Sequence, residues 1–199
     1  MRIPACLLAA ALAGPACTSV EPAGAASGTS AEASMPAATP AAAEVAGLDH
    51  PLLEHMIGDW VLRGPMAGGE VVHDVTVEWV LGRRYLRIHE LARERDEAGD
   101  PAYEALVYIG WDTPNARYTC LWLDSTSGEG LSEAYRDSVG HAVIDGDALP
   151  FLFRFPDGSP WHTTISYDRD TDTWAWHMIG EDRTAAPFTD VTLTRSPAR

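Results

Sequence analysis

Histidine is the residue type in this sequence best suited to metal binding or proton transfer. Five of the seven histidines, His73, His89, His141, His162 and His177, are spread along the chain, and none of them is spaced from another as His-x-x-x-His. Zinc sites usually draw several ligands from short, regular spacings. The spacing therefore predicts no metal site. A histidine-centred enzymatic or haem-binding site at His73 or His177 is kept as an alternative hypothesis.

His177 is the histidine that a haem-binding barrel would use as an axial ligand. It alternates with Trp174, Trp176 and Met178 along one segment. Successive side chains of a strand point to opposite faces, so His177 faces outward if those three residues face inward. We therefore expect no haem and predict no cofactor.

Other catalytic arrangements are missing from the sequence. Cys120 is the only cysteine after position 17, and it alternates with Tyr118 and Trp122 as a small buried hydrophobic residue would. There is no Gly-x-Ser-x-Gly motif for a nucleophilic serine. We predict no catalytic residue, and an enzymatic role is not favoured.

The charge of the chain restricts its partners. The formal net charge is -15, and all 14 basic residues are arginines. Such a chain is repelled by phosphate backbones and anionic lipids, so a nucleic-acid partner is not expected. Membrane association is expected only through an N-terminal lipid.

The first 46 residues predict export followed by a tether. Residues 1–17 contain Arg2, a short apolar run and small residues before Cys17, which is the pattern of a signal peptide. Cys17 is the predicted lipidation site, with ordinary cleavage as the alternative. Residues 18–46 are rich in Ala, Pro, Ser, Gly and Thr and are predicted to be a disordered tether. The predicted location is the cell envelope, either periplasmic or anchored through Cys17.

Residues 47–199 predict one all-β domain. Asp49 as a capping residue, Pro51 and Glu54 predict a short helix that ends at Gly58. Alternating apolar and polar residues follow in short segments separated by turn residues. About ten strands in up-and-down order favour a closed or nearly closed antiparallel barrel, because closure leaves no strand edge unpaired.

The sequence resembles the lipocalins and fatty-acid-binding proteins at two points. Gly58-Asp59-Trp60 follows the predicted helix, and Arg195 ends the last predicted strand. In that group a Gly-x-Trp opens the first strand, and an arginine of the last strand packs across the tryptophan ring. The resemblance implies that Gly58, Trp60 and Arg195 are structural residues.

Longer segments are similar to a bacterial lipocalin-like family, domain-of-unknown-function family fifteen seventy-nine. The similar segments are 57–60, 81–86, 110–112 and 118–128, of which the last contains Trp122-Leu123-Asp124-Ser125. Arg83 stands where the family usually has a second glycine, and Trp111 stands in place of a tyrosine. The resemblance spans roughly residues 48–196 and implies a fold, but it implies no activity.

Aromatic residues along the strands suggest a ligand pocket inside such a barrel. Aromatic side chains supply an apolar surface with polar groups at its edge, which suits a small hydrophobic or amphipathic ligand. The alternative is an envelope lipoprotein whose core these side chains simply fill. The predicted ligand contacts are Trp79, Trp111, Trp122 and Tyr108, with Arg87 and His89 as partners for a ligand carboxylate.

Overall fold

A computed structural model describes residues 47–126 and 138–197 of the protein. The predicted signal peptide, Cys17 and the tether lie outside these residues, as does a strand that the sequence predicts at 131–136. Within the described residues there are one α-helix, α1 (Pro51–Met56), one short 3-10 helix (Thr113–Asn115) and ten strands. The strands are β1 (Gly58–Met66), β2 (Gly69–Val80), β3 (Tyr85–Ala92), β4 (Glu104–Asp112), β5 (Arg117–Asp124), β6 (Val139–Ala142), β7 (Ala148–Arg154), β8 (Pro160–Asp168), β9 (Thr173–Ile179) and β10 (Thr189–Arg195).

The ten strands form a closed barrel. Each strand pairs in antiparallel fashion with its neighbour in sequence, and β1 pairs with β10 to complete the ring. This confirms the predicted all-β fold, with up-and-down order and a short helix in the N-terminal region. Closure gives every strand two neighbours and leaves no sheet edge to attract another chain.

The alternation of residue types decides which side chains fill the barrel. In β2, His73, Val75 and Val77 are buried while Asp74 and Thr76 are exposed, as the period of two requires. The same alternation in β3 buries every second residue, from Leu86 to Ala92. One face of each strand therefore builds the interior and the other meets solvent.

Helix α1 covers one end of the barrel with Leu52, Leu53 and Met56, which are at most 2% exposed. We call this the helix end. The residue that caps the helix is His50, whose ring accepts a hydrogen bond from the backbone N–H of Leu52, so the prediction of Asp49 as the cap is wrong. Among residues 47–126 and 138–197, no helix has the length and apolar character needed to cross a membrane.

The predicted Gly-x-Trp and arginine pair lies beside this helix. The guanidinium carbon of Arg195 is 3.8 Å from the centroid of the Trp60 ring, and its nitrogens donate to the backbone carbonyls of Ile57 and His55. Gly58 has φ +127°, and a Cβ there would lie 2.7 Å from an Arg195 nitrogen. Only glycine fits this approach, which explains the first residue of the motif.

Candidate functional site

The predicted ligand contacts Trp79 and Trp111 lie at the helix end. The Trp79 indole donates to a carboxylate oxygen of Glu54 in α1 at 3.1 Å, and Arg83 stacks on its ring at 4.6 Å. Trp111 packs against Gly47 and meets the Tyr118 ring edge-on at 4.9 Å. Both tryptophans therefore help to close this end of the barrel.

Three of the predicted contacts lie on the outer face. Arg87 and His89 alternate with the fully buried Leu86 and Ile88, so they point away from the interior. Arg87 forms an ion pair with Glu78, and His89 Nε2 lies 2.7 Å from a carboxylate oxygen of Glu104. Tyr108 is the cross-strand partner of Arg87 and lies on the same face. None of the three lines the interior.

Trp122 is the one predicted contact that lies inside the barrel and away from α1. The Tyr118 hydroxyl donates to the Gly47 carbonyl at the helix end. Trp122 lies four residues after Tyr118 on the same strand, which is about 13 Å further along it. There it meets the ring of the fully buried Trp176 edge-on, with the centroids 5.9 Å apart. It also hydrogen-bonds to the Tyr103 hydroxyl.

Two further side chains complete what we call the interior cluster: His73, Glu90, Tyr103, Trp122 and Trp176. His73 Nδ1 lies 2.5 Å from a carboxylate oxygen of Glu90, and the His73 ring stacks on Tyr103 with the centroids 5.6 Å apart. His73 pairs with Leu62 across the strands, whereas Val77 pairs with Gly58 beside the helix. The cluster therefore lies deeper in the barrel than the residues that α1 covers.

The barrel register places Asp124 in the same row, at the end of β5, where its half-buried carboxylate accepts hydrogen bonds from the backbone N–H and the hydroxyl of Thr126. Val75, Glu90, Ala105 and Asp124 are successive cross-strand partners in β2 to β5. Ala105, the residue between the two carboxylates, has the smallest side chain of the row. Cross-strand partners have Cβ atoms about 5 Å apart, so Glu90 and Asp124 flank one short stretch of the wall.

The surroundings of Tyr103 keep its hydroxyl protonated. Burial raises the pKa of the Tyr103 phenol, and the negative charges of Glu90 and Asp124 raise it further. The hydrogen bond from Trp122 acts in the opposite direction and is the smaller effect. Tyr103 is therefore a neutral hydroxyl in this cluster and supplies no negative charge.

Buried polar atoms on the interior face lack hydrogen-bond partners among the described residues. They are Glu90 Oε2, Trp176 Nε1 and Thr189 Oγ1, and their residues are at most 1% exposed. Thr189 precedes Val191 on the inward face of β10, and Val191 is the cross-strand partner of Trp176. Buried polar groups in proteins nearly always have a partner, so these three atoms are exceptions within the described part of the chain.

His73 and Trp176 can be singled out in the sequence, but their place in one cluster cannot, and Glu90 and Tyr103 are not among the predicted site residues. The signal for Glu90 was present. It continues the row of Leu86 and Ile88 at a spacing of two, and a carboxylate in an otherwise apolar row is unusual unless it has a partner. The contact with His73 comes from the β2–β3 register, which alternation alone does not fix.

The remaining histidines lie apart from the cluster. The His177 side chain is 45% exposed and lies 3.8 Å from Asp190, whereas Trp174, Trp176 and Met178 are buried. His177 therefore faces outward, as the alternation predicts. Within the described residues no group of three or more His, Cys, Asp or Glu side chains is placed to hold a metal ion.

Cys120 is a buried hydrophobic side chain in this structure. It is 1% exposed, and burial raises the pKa of its thiol well above the ordinary value. A protonated, inaccessible thiol is a poor nucleophile, so Cys120 has a packing role.

Comparison with known proteins adds no relative. No protein-family model matches the chain, and no curated protein matches it in sequence.

Proposed function

We propose that this barrel binds a small amphipathic molecule in its interior, at the interior cluster. The observation that carries the proposal is the contact between His73 and Glu90, whose side chains are 5% and 1% exposed. A barrel that served only as a structural unit has no need for an ionisable pair in its core.

The energetics of buried pairs support this reasoning. Removing a carboxylate and an imidazole from water costs several kcal/mol, and their attraction recovers this only in part. Apolar residues of similar volume would fill the same space at equal or lower free energy. The fold therefore gains little from His73 and Glu90, which favours a binding role for them.

The aromatic members of the cluster supply the apolar part of the site. Trp122 and Trp176 meet edge-on, and Tyr103 lies between Trp122 and His73. Aromatic rings offer large, rigid surfaces that bind apolar groups with little loss of side-chain entropy. A ligand with a flat or hydrocarbon body and a polar group fits a wall of this composition.

The helix end and the interior cluster differ in a way that favours one position for the ligand. At the helix end, the Trp60 indole donates to the Met56 carbonyl at 2.8 Å and the Trp174 indole donates to the His55 carbonyl at 3.4 Å. Polar groups there have partners and apolar groups are packed. Unpartnered polar atoms occur instead on Glu90 and Trp176, in the cluster.

Purification under native conditions followed by mass spectrometry of the extracted small molecules tests the proposal. We expect one recurrent amphipathic compound in wild-type protein, at a molar ratio that falls in Trp122→Leu. Trp111→Leu is the matched control, because Trp111 is also half-buried and faces inward but lies at the helix end. It should retain the compound.

A titration with N-phenylnaphthylamine, a dye that becomes fluorescent in apolar sites, provides an independent measurement. Saturable fluorescence that weakens in Trp122→Leu and persists in Trp111→Leu supports an interior site. A protein that carries no compound and leaves the dye dark has a filled core, and that result contradicts the proposal.

We also propose that the protein is exported and carries a lipid on Cys17. The proposal rests on the signal-peptide pattern of residues 1–17 alone. Labelled palmitate supplied to a bacterial host should be incorporated into the wild-type chain and not into Cys17→Ser. Equal labelling of the two chains would rule out Cys17 as the anchor.

A further inference from the structure

The unpartnered polar atoms of the cluster define which polar group the ligand carries. We propose that this group is uncharged and both donates and accepts hydrogen bonds, as a carboxamide or an alcohol does, and that it is not a carboxylate. This inference rests on the proposed binding function. It replaces the expectation from the sequence that Arg87 and His89 would receive a ligand carboxylate.

The Glu90 carboxylate requires a ligand that brings a hydrogen-bond donor. Glu90 Oε1 is in contact with His73, and Oε2 of the same carboxylate is buried without a partner. A carboxylate oxygen only accepts hydrogen bonds, so its partner has to carry an O–H or an N–H. A ligand carboxylate would place acceptor against acceptor.

The Trp176 indole requires a ligand that brings a hydrogen-bond acceptor. Trp176 Nε1 carries an N–H that is buried without a partner, and an indole nitrogen only donates. An ammonium group has no acceptor to offer it. The Thr189 hydroxyl, which is also unpartnered, can donate or accept and places no further restriction on the ligand.

The charge around the cluster favours an uncharged ligand over an anionic one. Both Glu90 and Asp124 act electrostatically on the Tyr103 hydroxyl, so two carboxylates lie near the site. Arg87, the cation that would balance a ligand carboxylate, is on the outer face in a pair with Glu78. An anion entering the interior would meet like charge in a region of low dielectric constant.

Four naphthalene probes that share a ring system test the inference by isothermal titration calorimetry at neutral pH. They are naphthylacetamide, naphthylacetate, naphthylmethylamine and methylnaphthalene, and the first two are nearly the same shape. We expect the amide to bind at least about tenfold more tightly than the acetate, the scale of a hydrogen bond to a charged group. The amine and the hydrocarbon should fall below the amide.

Variants show whether Glu90 causes this preference. Glu90→Gln introduces a group that can donate, so the ratio of amide to acetate affinity should fall to within about twofold. Glu104→Gln is the matched control, since Glu104 also contacts a histidine but lies on the outer face. Its ratio should equal that of the wild type. Thr189→Val is a nearly isosteric second variant, and it should weaken the amide and leave methylnaphthalene unchanged.

The outcomes separate this inference from the proposed function. If the acetate or the amine binds most tightly, or if Glu90→Gln folds and keeps the full preference, the inference is wrong while the binding function stands. If all four probes bind equally well, the binding function again stands and the inference is wrong. If none of them binds, the result contradicts both.

Discussion

Replacing His73 with leucine removes the hydrogen-bonding partner that the structure gives to a buried carboxylate. Glu90 is 0% exposed, and its second oxygen has no partner among the described residues. In His73→Leu the carboxylate is therefore left in the interior without a compensating contact. Leucine and histidine have similar volumes, so the change creates little cavity.

The expected loss is about 3–5 kcal/mol of the free energy of unfolding, the range found when one partner of a buried ion pair is removed. Glu90→Leu should also destabilise the protein, because it leaves the buried His73 side chain without its partner. The double variant His73→Leu/Glu90→Leu behaves differently, since two packed leucines leave no buried polar group. Its stability should lie within about 1 kcal/mol of the wild type or exceed it.

Urea unfolding followed by tryptophan fluorescence measures all four proteins of this cycle. The control cycle uses His89→Leu and Glu104→Leu, because this pair has the same chemistry, with side chains 28% and 48% exposed. Solvent screens it, so each control variant should change stability by less than about 1 kcal/mol. Equal slopes against urea concentration would show that the unfolding transitions are comparable.

Two results would refute this reasoning about the interior pair. If His73→Leu lost no more stability than His89→Leu, Glu90 would have other partners in solution. If the double variant lost as much stability as the two single variants combined, His73 and Glu90 would stabilise the fold independently of each other, and their presence would no longer indicate a binding role.

Three further predictions concern the wall of the barrel. Arg195→Met should lower the free energy of unfolding by about 1–2 kcal/mol in urea, because the stacking on Trp60, the hydrogen bonds to two backbone carbonyls and the exposed ion pair with Asp172 are lost. An unchanged midpoint would contradict the structural role of Arg195. Cys120 should react with iodoacetamide only after unfolding, since burial raises the pKa of its thiol, and rapid alkylation of native protein would contradict its packing role. Burial and the charge of Arg117 lower the pKa of His141, so protonation favours the unfolded chain. The free energy of unfolding should therefore rise as pH increases towards the ordinary histidine pKa of about 6.5 and stay level above it. His141→Gln should flatten this rise, and an identical pH profile would count against it.

The strands could be predicted from the sequence because each one carries its own evidence. Val75 and Val77 alternate with Asp74 and Thr76, and this local pattern requires one dry face whatever the neighbours are. The structural signature at Gly58, Trp60 and Arg195 was also predictable, because it depends on a motif and on the last strand. The N-cap was assigned to the wrong residue, since Asp49 and His50 are adjacent and both can accept a hydrogen bond.

The site was harder to predict because it depends on which face is inside and on the cross-strand register. The prediction of Arg87 and His89 as ligand contacts requires that their row of β3, which begins at Tyr85, faces the interior. The row of Leu86 and Ile88 is the buried one, and Glu90 belongs to it. If the wrong face of a strand is taken as the interior face, every residue predicted to line the interior from that strand points outward instead.

Stability and the proposed binding can be changed separately, by substitutions at the helix end and in the interior cluster respectively. The helix end is closed by apolar packing and by indole hydrogen bonds to α1, so changes at Trp60 or Trp174 act on the fold. The interior cluster contributes buried polar atoms that a stable core does not need. Because changes at distant sites are usually additive, a substitution that stabilises the helix end should not alter the ligand preference set by Glu90. The barrel can therefore tolerate the unpartnered polar atoms of the interior cluster because the packing at the helix end stabilises the fold independently.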